Sequence, residues 1–107
     1  MDVNEFENLA QKTLEDLFEA LDEAIGDVAD VDFDNGILTV ELDDGRQYII
    51  NKHTPNQEIW LSSPLSGAAH YAYGEAQVWT STRGNEALKA VLAAEFKQIT
   101  SRNIDLN

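Results

Sequence analysis

Apolar residues recur at helical spacing at both ends of this chain and alternate at period two between them. That order limits the possible folds more than any other feature. From residue 4 to about residue 25, Phe6, Leu9, Ala10, Leu14, Leu17, Leu21 and Ile25 follow i, i+3, i+4 spacing. Asn4 or Asp2 is placed to cap the start, and Gly26 to stop the helix. A second helix is expected over about 85–100, with Leu88, Val91, Leu92, Phe96 and Ile99 as its stripe. Its Lys97 and the nearby Arg102 suit the negative end of a helix dipole. Between the helices, strand-like segments cover 28–34, 37–42, 46–51 and 57–62, with two shorter ones near 70–73 and 77–80. Asn35-Gly36 is a strong hairpin turn, and Asp43-Asp44-Gly45 and Gly74-Glu75 turn the chain again.

Two helices with one apolar stripe each need an apolar surface to cover, and an antiparallel meander with one apolar face supplies it. The expected class is therefore α+β: a two-layer α/β sandwich. The N- and C-terminal helices pack on one face of an antiparallel sheet of five to six strands, in a single domain over residues 1–107. The hydrophobic fraction of 43% is enough for a core of that kind. The opposite sheet face is left open. In residues 57–62, Ile59 and Leu61 point to the helices and Trp60 to the open face. The spacing allows both an exposed interaction anchor and a ring folded against a neighbouring strand or loop.

Charge is the second constraint. The formal net charge is −13, and its distribution is uneven. Residues 1–45 hold fifteen acids and one base, Lys12, whereas the remaining residues hold five acids and six bases. Glu15, Glu19 and Glu23 follow one another at i, i+4, i+8, with Asp16 and Asp22 beside them and Asp27, Asp30, Asp32 and Asp34 following. Like charges at i, i+4 cost a few tenths of a kcal/mol per pair, so this face opposes folding slightly. Three readings stay open: a solvated face that keeps the chain soluble, a weak oxygen-ligand surface for hard cations, and a surface that steers a basic protein partner.

Several chemistries are excluded. There is no cysteine, so no disulfide scaffold, zinc–thiolate site or cysteine nucleophile exists. No apolar run approaches membrane-spanning length, and the acidic balance disfavours nucleic acid. Asp30, Asp32, Asp34 and Glu41 approximate the spacing of an EF-hand loop, but the required glycine is displaced and the flanks alternate as strands. No phosphate loop, serine elbow or Glu-x-x-His di-iron motif is present. His53 and His70 have no metal spacing to each other and are read as structural or partner-facing.

The motif Asn51-Lys52-His53-Thr54-Pro55, then Gln57-Glu58-Ile59-Trp60-Leu61-Ser62-Ser63-Pro64, then Ser66-Gly67 and Tyr71, closely resembles that of the frataxin family, whose bacterial members are called CyaY. The acidic first helix and strand, the Asn-Gly turn, Val78-Trp79 and the closing helix stand in the same order as in that family. The resemblance implies the sandwich fold and a role in iron–sulfur cluster assembly. It implies weak, surface-bound iron, Fe²⁺ or Fe³⁺, with other divalent cations able to substitute, on Glu15, Asp16, Glu19, Asp22, Glu23, Asp27, Asp30 and Asp32. It also implies docking on a cysteine desulfurase and its iron–sulfur scaffold protein through Asn51, Lys52, Pro55, Gln57, Trp60, Ser66 and Gly67. A ferroxidase and iron-storage role, and a metal-independent acidic docking role, are the alternatives. The expected state is a monomer able to oligomerise with iron, in the bacterial cytoplasm, since the chain starts without a signal or transit segment. His53, Ala68 and Ala72 depart from the commoner glutamine, proline and acidic residue at those positions.

Overall fold

The computed structural model describes residues 1–106. Helix α1 runs Val3–Ile25 and is capped by Asp2, whose Oδ1 accepts the Glu5 N–H at 2.8 Å. Its stripe of Phe6, Ala10, Leu14, Leu17, Leu21 and Ile25 is fully buried. The strands are β1 Ala29–Asp34, β2 Ile37–Leu42, β3 Gln47–His53, β4 Glu58–Ser63, β5 Gly67–Tyr73 and β6 Trp79–Ser81, and α2 Leu88–Thr100 closes the chain. The strands form one sheet in chain order, each antiparallel to the next, with no crossover. Two helices against a six-stranded antiparallel sheet is the expected architecture.

Alternation decides which side chains go inward. Leu38, Val40 and Leu42 of β2, Tyr48 and Ile50 of β3, Ile59 and Leu61 of β4, and Tyr71 and Trp79 of β5 and β6 form the sheet's dry face. They meet α1 and the Leu88, Leu92 and Phe96 stripe of α2. Aromatic contacts join the layers: Tyr48 to Phe96 at 4.5 Å between ring centroids, Phe18 to Phe33 at 6.1 Å, and Phe6 edge-on to Trp79 at 6.1 Å. Trp79 also donates its Nε1–H to Thr13 Oγ1 of α1 at 3.1 Å. The Asn35-Gly36 turn has both residues at positive φ, 53° and 76°, as a two-residue hairpin requires.

Several boundaries differ from the sequence reading, three of them for a reason the pairing shows. Strand β5 starts at Gly67 rather than near 70, because the β4–β5 hairpin pairs Ser63 with Gly67 and draws in Ala68 and Ala69. Strand β3 extends to His53, which pairs with Glu58 around the short 3₁₀ turn Thr54–Asn56. Helix α2 begins at Leu88 rather than 85, because the Ser81 N–H donates to Glu86 O and Ala87 bridges Thr80.

Burial separates two kinds of apolar position. Phe96→Ala should cost about 3–5 kcal/mol in urea unfolding, as expected for emptying a packed aromatic site. Ile49→Ala, on the open sheet face, should cost less than about 1 kcal/mol because little apolar area is lost there.

Candidate functional site: an acidic edge and an open sheet face

Strand β1 forms one edge of the sheet, and α1 packs on it. Asp30, Asp32 and Asp34 point outward from β1, and Glu15, Asp16, Glu19, Asp22 and Glu23 line the exposed side of α1. Seven of the eight expected cation-binding residues thus lie on α1 and β1, with Asp27 in the turn between them, but they are not equivalent. Asp16 accepts from Lys12 Nζ at 2.8 Å. Asp27 is held by Arg102 through two bonds, 2.7 Å to Oδ1 and 2.9 Å to Oδ2, and the same guanidinium donates to Ala24 O. This clasp ties the C-terminal segment to the end of α1 and engages Asp27 away from the open carboxylates. Among the described residues, no three Asp, Glu, His or Cys side chains converge into a set able to hold a metal ion. The EF-hand-like spacing lies in the β1–β2 hairpin, with Asp30 opposite Glu41.

The open face is organised by register. Asp34, Ile37, Asn51, Trp60 and His70 lie in one row across five strands. Trp60 stands on this face, and its ring is folded against the neighbouring strands. It is half-buried because the imidazoles of His53 and His70 stack on its two sides. His53 lies 3.8 Å from the indole centroid with planes 9° apart, and His70 lies 4.3 Å away at 6°. The Trp60 Nε1–H donates to Glu58 Oε1 at 2.9 Å. Ile37 and Ile49 are exposed beside this group, at 42% and 38%. The pattern of single residues shows no such stack; only strand pairing brings His53, Trp60 and His70 together.

The seven expected partner-facing residues are spread more widely than their motif suggests. Asn51 and Trp60 are cross-strand neighbours on the open face. Lys52 is not on that face: alternation sends it to the helix side, where its Nζ lies 2.7 Å from Glu7 Oε2 of α1. That contact holds the Glu7 carboxyl below the usual carboxylate range. Pro55 lies in the 3₁₀ turn, and Gln57, at φ +52°, donates its Nε2–H to Met1 O at 2.9 Å. Ser66 and Gly67 are at the other end of β4, with Gly67 at φ +84°.

A residue without a sequence signal organises that second end. Glu95 of α2 accepts hydrogen bonds from Tyr48 Oη, Ser63 Oγ and Ser66 Oγ. Ser63 Oγ in turn accepts the N–H groups of Leu65 and Ser66. Burial, reinforced by the Glu95 carboxylate, pushes the Tyr48 hydroxyl well above its ordinary pKa. The Ser66-Gly67 loop is therefore fastened to α2 rather than free.

Trp60→Ala should cost about 1–2 kcal/mol, because stacking is lost without opening the core, whereas Trp79→Ala should cost about 3–5 kcal/mol. Chemical denaturation of both variants checks this. The Arg102 clasp predicts a pH signature. Asp27 is held below the usual carboxylate range by Arg102, so its contribution is full above the unfolded pKa of about 3.9 and is lost as pH falls through the lower folded value. Thermal melts should show Arg102→Ala less stable than the parent at about pH 6, with the gap closing toward about pH 2.

Comparison with known proteins places this geometry. The model of the frataxin-like domain matches residues 1–102. The mitochondrial frataxin homolog of Schizosaccharomyces pombe is 37% identical over 106 residues, covering 94% of this chain and 67% of the relative. A solved structure of frataxin from Psychromonas ingrahamii, studied for stability modulation within the CyaY family, superposes with a TM-score of 0.87 at 26% identity. It covers 100% of this chain and 99% of that one. Trimeric frataxin from the yeast Saccharomyces cerevisiae, complexed with ferrous iron, gives a TM-score of 0.74 at 35% identity, covering 88% and 87%. With a family model matching almost the whole chain, a relative 37% identical to it and a solved frataxin of the same fold, the chain belongs to the frataxin family.

Proposed function

We propose that this protein is an iron-binding accessory protein and regulator of iron–sulfur cluster assembly. It binds Fe²⁺ or Fe³⁺ weakly along the α1–β1 edge and docks on a cysteine desulfurase–scaffold complex through the open sheet face. One observation carries this reading: a carboxylate-lined edge adjoins an uncovered sheet face with Trp60 at its centre, in a member of the frataxin family. The yeast relative seen with ferrous iron supports iron as the cation. Hard, exposed oxygen donors suit such ions, and the lack of a converging set among the described residues supports low affinity and poor selectivity.

That same lack favours a second reading, in which the acids dock a basic surface of the partner without metal. The two readings separate by experiment. Fe²⁺ added anaerobically should shift amide resonances within residues 15–34 and leave the Trp60 indole resonance in place. In a reconstituted anaerobic assembly assay with desulfurase, scaffold, Fe²⁺ and cysteine, the protein should change the rate in proportion to its amount, and Trp60→Ala should blunt the change. Glu19→Lys with Asp22→Lys should abolish partner binding even without metal if the acids act only by charge, and added salt should then weaken binding in the parent. No rate change at stoichiometric protein would remove the regulatory role.

A further inference from the structure

Helix α1 ends without a base of its own. Its last turn holds Asp22 and Glu23, and Asp27 follows in the turn to β1, so the negative end of the helix dipole meets carboxylates. Arg102 supplies the missing positive charge from the C-terminal segment. Its Nη1 donates to Ala24 O at 2.8 Å and to Asp27 Oδ1 at 2.7 Å, and its Nη2 donates to Asp27 Oδ2 at 2.9 Å. One carbonyl oxygen and both oxygens of a carboxylate thus close on one guanidinium. These are the same kinds of donor that a hard metal cation takes. Each accepts from Arg102, so Asp27 as it stands does not fit the cation-ligand role that the family resemblance gives it. The pair is not sealed off: the Arg102 and Asp27 side chains are 40% and 66% exposed, and an ion in solution can compete for the same oxygens. Arg102 is also a fixed point of the chain end. It follows Ser101, which closes α2 at φ +63°, and its N–H donates to Thr100 Oγ1 at 3.2 Å. Beyond it, Ile104 packs on the core and Leu106 is buried.

We propose that Arg102 is a built-in counter-cation that withholds Asp27 from metal ions. A hard cation gains Asp27 and Ala24 O only by displacing the guanidinium and loosening residues 102–104. The proposal rests on the cation reading of the α1–β1 edge and divides that edge in two. Carboxylates not held in this way, Asp30 and Asp32 among them, meet cations with the clasp closed, whereas Asp27 does so only with it open. The linkage is reciprocal: a cation in the turn weakens attachment of the chain end, and releasing the chain end strengthens cation binding in the turn.

The test titrates the isolated protein with Ca²⁺ and follows the side-chain carboxylate carbon resonances and the Arg102 Nε–H resonance. In the parent, Asp30 and Asp32 should respond first. Asp27 should respond only at higher Ca²⁺, in step with the Arg102 Nε–H. In Arg102→Ala, with its fold confirmed by circular dichroism, Asp27 should respond at roughly fivefold lower Ca²⁺ than in the parent. That is the order expected for removing one opposing unit charge about 4 Å away through water. Arg102→Lys, which keeps the charge but not the fork, should fall between the two. Asp27→Asn should leave the Asp30 and Asp32 midpoints within about twofold of the parent. A parent in which Asp27 responds together with Asp30 and Asp32 while the Arg102 Nε–H stays still overturns the proposal, and needs no variant to fold. An unchanged Asp27 midpoint in Arg102→Ala, or a severalfold weakening at Asp30 and Asp32 in Asp27→Asn, overturns it as well. If Asp30 and Asp32 do not respond at all, the cation reading of the edge fails and Asp27 decides alone. A response of Asp27 confined to Arg102→Ala then supports the proposal, and none in either protein overturns it.

Discussion

Both helices of this protein are on the same side of its sheet, and the structure depends on that imbalance. Each strand alternates, so one face gathers Leu38, Val40, Tyr48, Ile50, Ile59 and Leu61 and is dry beneath α1 and α2. The other gathers Asp32, Thr39, Ile49, Asn51 and Trp60 and has no layer over it. Burial of the first face supplies the driving force for folding, since roughly 25 cal/mol accompanies each Å² of apolar surface removed from water. The second face contributes little to the core and is free to vary. Side chains there are little constrained by packing, which is why a tryptophan and two exposed isoleucines can stand on it.

Charge is arranged around the same asymmetry. The acids of α1 lie on its outward side and those of β1 on the outward side of an edge strand, so none enters the core. Long acidic rows repel themselves, and here few bases answer them: Lys12 meets Asp16, and Arg102 reaches from the C-terminal segment to Asp27. Exposed ion pairs of this kind contribute modestly. An edge strand lined by aspartates also resists pairing with another chain, so the charge that suits a cation or a basic partner guards the sheet edge as well.

Much of the architecture was legible because its signals are local. Helical spacing of Phe6, Leu14 and Leu21, alternation in β2, and the Asn35-Gly36 turn each depend on residues close together in the chain. The start of β5 was not legible, since Gly67-Ala68-Ala69 carries no strand signal and is extended only because β4 pairs with it. The start of α2 was displaced for a related reason: residues near 85–87 are held against β6 by backbone bonds. At the candidate site, the outward placement of the acids was legible, but the engagement of Asp27 was not, because its partner lies 75 positions away. Lys52 was read with its motif neighbours, although one step along a strand reverses the face. Glu95 gave no sign at all; it is an unremarkable helix residue until three hydroxyl groups converge on it.

The sequence by itself determined the layer order, the identity of the dry face, the concentration of acid in the first 45 residues and the motif that carries the family resemblance. These rest on periodicity, turn chemistry and charge, all of which act over a few residues. Only the tertiary structure decided that His53 and His70 enclose Trp60, that Lys52 turns toward Glu7, and that Glu95 holds the Ser66 loop. Those contacts join residues from different strands or layers, and their geometry exists only once strand register and helix docking are set.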